Sequence, residues 1–150
     1  MRNIVTVITN FDLKKREKQI KYERSVLRDI SIKDLKEKVA RYFGSSNLTS
    51  SMIMTSGIEE ACYDVAIEAF LLGANFSKFN RYGESREEVK KRCVEEDRHL
   101  KDTLFHFLLY WGSKESSKNE SLLYLCEQFV DEWWNEGFEK ANKRRKLKLH

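Results

Sequence analysis

The sequence predicts an all-α protein: a compact bundle of about five helices around one buried helix, in a single domain spanning 1–150. Three observations predict it. The chain has no proline and only 6 glycines, so helix breakers are scarce. Apolar residues recur at helical spacing over most of its length. One stretch, 58–74, is apolar around most of its circumference, which marks a helix buried on several sides and not a surface helix with one apolar stripe.

That stretch reads as the central helix. Its apolar set is Ile58, Ala61, Cys62, Val65, Ile67, Ala69, Phe70, Leu71 and Leu72. Glu60, Asp64 and Glu68 are spaced four apart and share one side. Asp64 and Glu68 fall inside the apolar segment, where a carboxylate needs a partner or a proton. They are expected to be buried acids, with Arg81, Tyr82 and Arg86 as candidate partners. Gly73 stands where the helix can end on a left-handed residue. Phe76, Phe79 and Tyr82 follow at every third position, closed by Gly83, and predict a packed elbow. Ser85 and Glu88 have the spacing of a capping box that starts the next helix.

Residues 1–10 alternate weakly, and a lone strand has no partner in a helical chain, so they are expected to form a loose arm. A helix from Phe11 to Ile30 carries a thin apolar face among many bases and belongs on the outside. Ser31 and Asp34 predict the start of a second helix, ended by Gly44. The Ser/Thr-rich segment 45–56 reads as a short packed turn. A long helix is expected from Ser85 to Trp111, then a polar loop over Gly112–Lys118. The last helix starts at Asn119 or Ser121 and carries Leu122, Cys126, Phe129, Val130, Trp133, Trp134 and Phe138 at helical spacing. Gly137 lies inside it at a cost of about 1 kcal/mol, which predicts a close neighbour.

The net charge is +4, but it is uneven. Lys140, Lys143, Arg144, Arg145, Lys146 and Lys148 follow the last acid, Glu139. Of the 28 basic residues, 22 precede this tail, against 24 acids, so residues 1–139 sum to −2. A polyanionic partner would therefore be held by the ends of the chain: the basic tail 140–150 and the first helix. No apolar run approaches the roughly 18 residues needed to span a bilayer. The first residues lack the form of a signal peptide, so the cytoplasm is the expected location and no membrane partner is expected. The three cysteines, Cys62, Cys93 and Cys126, are far apart and read as reduced thiols in helices.

Three segments resemble one known family. They are 64–73 (DVAIEAFLLG), 82–85 (YGES) and 133–138 (WWNEGF). They are similar to the YbaK-like family of uncharacterised proteins from bacilli, a domain of unknown function distinct from the tRNA-editing proteins of the same short name. The resemblance implies an all-helical, cytosolic bacterial protein. It supplies no activity and no catalytic residues.

Several constellations bear on chemistry. Glu96 and His99 have the Glu-x-x-His spacing of helical di-iron sites, but such sites need two such pairs and two lone glutamates. Glu68 and Glu127 offer lone carboxylates and His106 lies two turns from His99, yet the second pair is missing. No cofactor is expected. Asp64 and Glu68 could work as an acid/base pair; the plainer reading is a structural ion-pair network. No Cys–His spacing supports a nucleophile. Trp133 and Trp134 are candidates for a contact surface, although core packing explains them as well. The basic run with Lys143, Arg144, Arg145 and Lys146 can contact phosphates, but it lacks the interleaved aromatics of a base-stacking segment. Three readings follow: a non-enzymatic protein acting through a protein partner or self-association, a nucleic-acid-associated protein using its basic ends, and a helical metalloenzyme using Glu68, Glu96, His99 and His106.

Overall fold

A computed structural model describes residues 2–44, 58–111 and 116–147. Six helices build it among these residues: α1 (Arg2–Leu27), α2 (Ile32–Val39), α3 (Ile58–Phe76), α4 (Arg86–Arg92), α5 (Val94–Trp111) and α6 (Ser116–Lys146). A π turn, Ala40–Gly44, extends α2, and a single helical turn, Lys78–Arg81, follows α3. The fold is all-α. The expected packed turn at 45–56 lies outside the described residues, as do positions 112–115 of the expected loop.

α3 is the central element, packed along α6 and flanked by α5, α2 and α1. Ile58, Cys62, Val65, Ala66, Ala69, Phe70, Gly73 and Ala74 are buried. Its burial has one gap. Asp64 and Glu68 are exposed, so the expectation of two buried acids is corrected. The four-residue spacing that put Glu60, Asp64 and Glu68 on one side defines a solvent-facing stripe. Their expected partners are elsewhere: Arg86 pairs with Glu139 at 2.7 Å, Tyr82 is 74% exposed and Arg81 is exposed.

Gly73 does not end α3, which runs on to Phe76. Its role is a close approach. A Cβ there would stand 2.0 Å from the Trp134 carbonyl oxygen of α6. Gly137 of α6 answers it: a Cβ there would meet the Phe70 carbonyl oxygen of α3 at 1.9 Å. The two backbones therefore touch where they cross, and each glycine admits the other helix. Gly83 takes a positive φ, +102°, as its turn requires.

Other boundaries differ from the sequence reading in instructive ways. Residues 2–10 are helical and belong to α1 instead of forming an extended arm. The long helix expected from Ser85 breaks at Cys93, whose φ of −112° and ψ of 29° leave the helical region. The break lets Val89 and Cys93 enter a small second core with Trp134 and Phe138. Ser85 does cap α4, accepting from the Glu88 N–H at 3.2 Å, while Ser31 caps α2 by accepting from the Asp34 N–H at 2.9 Å. α6 is 31 residues long and absorbs Ser116–Lys118 at one end and most of the basic tail at the other.

α6 carries adjacent tryptophans into different cores. Trp133 packs with Phe70 and Phe129 in the main cluster, and Trp134 stacks on Phe138 in the second. Both rings are buried, at 1% and 0% exposure, so neither forms an outward contact surface. Each has an ammonium over its face: Lys38 above Trp133 at 4.2 Å and Lys90 above Trp134 at 5.4 Å.

Candidate functional site

The end of α1 lies against the end of α6. Val26 and Ala141 are buried between them. The Tyr22 hydroxyl donates to the Ala74 carbonyl at 3.2 Å. Lys140 donates to the Asp29 carbonyl at 2.8 Å, and Arg144 pairs with the Asp29 carboxylate at 3.3 Å. These contacts fix the two basic ends of the chain side by side.

Between them runs a cleft of about 540 Å³. Lys21 and Arg24, on one face of α1, and Arg28, in the turn just after it, line one wall. Arg144 and Arg145 line the other. Among the described residues only Arg144 of the five has a carboxylate partner. Arg145 donates instead to the Asn142 side chain at 3.2 Å and to the Ser77 hydroxyl. A second cleft of about 460 Å³ adjoins it, sharing Tyr22 and Arg145 and adding Phe76, Phe79, Lys78 and Arg81. The result is a basic trough with half-buried aromatic side chains along it.

The predicted basic run is thus divided. Arg144 and Arg145 face the trough, while Lys143 and Lys146 line a separate hollow with Arg86, Phe138 and Glu139. The aromatics missing from the tail come from α1 (Tyr22), the end of α3 (Phe76) and the turn after it (Phe79). No local pattern reveals that meeting, because the partners are far apart in sequence.

The metal candidates lie on another face. Glu68, Glu96 and His99 line a groove of about 490 Å³ between α3 and α5, together with Leu71, Leu72 and Glu95. Asp64, Glu68 and His99 line its continuation. His106 lines neither; its Nδ1 lies 2.7 Å from the Asp102 carbonyl oxygen. Glu127 is on α6, outside both lining sets. Among the described residues no three His, Cys, Asp or Glu side chains come together as a ligand set.

Two polar clusters were not singled out from sequence. Asp97 is 6% exposed and pairs with Lys101 at 2.7 Å; Lys101 bridges to Asp131 at 2.8 Å, and Asp131 to Lys90 at 2.5 Å. Burial alone would lower the Lys101 pKa, but its bonds to Asp131 and Asp97 outweigh that and raise it. The signal was present: Asp97 falls in register with Cys93, Leu100 and Leu104 on the apolar stripe. Glu132 is the second hub. It accepts from Arg41 at 2.8 Å and from the Tyr42 hydroxyl, with Lys38 at 3.7 Å. Burial would raise the Glu132 pKa, but Tyr42, Lys38 and Arg41 together hold it below the ordinary carboxylate value. Burial, then the bond to Glu132, push Tyr42 up to about 12.

Fold and surface together define a helical-bundle protein with a cationic trough and a separate acid-lined groove. Comparison with known proteins places it. The chain belongs to DUF2521, a family described as protein of unknown function, whose model matches residues 5–150. It is similar to the uncharacterized protein YbaK of Bacillus subtilis (strain 168), with 28% identity over 141 residues, covering 90% of this chain and 92% of that protein. No solved structure matches it significantly. No helix among the described residues is long and apolar enough to cross a membrane.

Proposed function

We propose that this protein binds single-stranded nucleic acid along the basic trough. The observation that carries this reading is the convergence of Lys21, Arg24 and Arg28 with Arg144 and Arg145 on facing walls. Cations spaced along a trough neutralise successive phosphates and release counterions, which supplies sequence-independent affinity. Tyr22, Phe76 and Phe79 add the aromatic surface on which unpaired bases stack, a combination suited to single strands. The trough lining is cationic and aromatic, with no carboxylate among the described residues to repel a phosphate. The cytoplasm is the compartment this reading assumes.

The test is a titration of a labelled single-stranded oligonucleotide against the full chain, beside its duplex form. Tighter binding of the single strand, abolished in the Arg24→Glu/Arg28→Glu variant, is the expected result. Equal or no binding of the two forms by the wild-type protein refutes it. Both arginines are exposed, so the variant should retain the fold.

A further inference from the structure

α1 outlasts its support. Its C-terminal end packs through Tyr22 and Val26, but Asp12 to Ile20 are all exposed, nine residues in succession. Leu13 is 50% exposed and Ile20 42%. They lie seven apart, so they share one face of the helix. On the helix Arg16 and Glu17 flank this face, Lys14 and Asp12 lie further round, and Lys15 and Lys18 are on the far side; four bases against two acids give residues 12–20 a net charge of +2, and none of the six has an ion-pair partner among the described residues. A solvated helical segment of this length is marginal in water without something to pack on.

The α3–α5 groove has the complementary character. Leu71, Leu72 and Leu100 contribute apolar lining. Asp64 and Glu68 line it from α3, and Glu95 and Glu96 from α5. None of these four acids has an ion-pair partner among the described residues. A segment of net charge +2 thus stands against a groove lined by four unpaired acids. Lengths agree as well: Leu13 to Ile20 spans about 10 Å of helix, and Asp64 to Leu72 about 12 Å.

We infer that the α3–α5 groove receives the projecting part of α1 from a second copy of the chain, so that two copies exchange first helices. Leu13 and Ile20 enter the apolar floor, and Arg16 and Lys14 meet the acids of the walls. The exchange is reciprocal, as a two-fold dimer requires. It uses α1 residues that do not line the basic trough, so it stands apart from nucleic-acid binding.

Sedimentation velocity of the full chain, without nucleic acid, tests this. A dimer is expected, and Leu13→Asp/Ile20→Asp should weaken it about ten-thousandfold, a factor of about ten for each of the four side chains that a reciprocal dimer buries. Lys14→Glu/Arg16→Glu and Asp64→Lys/Glu68→Lys should each weaken self-association, and mixing these two variants should restore a mixed dimer. All these positions are exposed, and unchanged helical circular dichroism confirms that each variant is folded. A wild-type chain that sediments as one copy at every concentration overturns the inference. So does a dimer indifferent to all three variants, or a mixture that fails to form mixed dimers.

Discussion

A methyl group on Gly137 would stand 1.9 Å from the carbonyl oxygen of Phe70. That distance is impossible for a real contact, and the neighbour is backbone, which cannot swing aside. α3 and α6 must therefore separate to admit any side chain at Gly137. Gly137→Ala should lower stability by about 3 kcal/mol through overpacking, despite the better helix propensity of alanine. Chemical denaturation checks this, and a stabilised variant would contradict the close crossing.

The Asp97–Lys101 pair gives a second expectation. Replacing Lys101 leaves a 6%-exposed carboxylate without its cation. Lys101→Met should cost about 3 kcal/mol, whereas Asp97→Leu/Lys101→Met should cost less than the sum of its single changes. A double-mutant cycle measures this directly, and strict additivity would mean that the pair contributes no coupling.

The Glu132 hub gives a pH dependence. Its folded pKa is depressed, so its contribution is complete above the ordinary carboxylate value and is lost as pH falls through the folded value. Tyr42 acts in the other direction: its raised value makes its contribution complete below about 10 and lost as pH rises through about 12. Glu132→Gln should flatten the acid limb of a plot of melting temperature against pH. An unchanged acid limb would remove Glu132 from the account.

Cys62, Cys93 and Cys126 are fully buried, and burial raises all three thiols, Cys62 to about 12. The reactive form is the thiolate, so native protein should react slowly with a thiol reagent at neutral pH. Three equivalents should react after unfolding. Fast labelling of any one in the native state would show that its helix opens readily.

Much of the bundle was legible because hydrophobic period and capping are local. The burial of Ile58, Cys62, Val65, Ala69 and Phe70 in α3, the Ser31 and Ser85 caps and the close neighbour of Gly137 all follow from residues a turn or two apart. The failures share a cause. Asp64 and Glu68 were assigned to the interior by composition, while Asp97, in register with the apolar stripe of its own helix, was passed over. The break at Cys93 depends on what Val89 and Trp134 pack against, which no window around Cys93 contains. The trough was half legible: its bases were noted at both ends of the chain, but tertiary packing alone brings Arg24 and Arg28 to face Arg144 and Arg145.

The most direct test of the trough is the salt dependence of single-stranded oligonucleotide binding, followed by fluorescence anisotropy. The logarithm of affinity should fall linearly with the logarithm of salt concentration. Arg24→Gln/Arg28→Gln should reduce that slope by about 0.7 for each cation removed. Affinity indifferent to salt, or a slope unchanged by the two substitutions, would contradict the assignment of the trough.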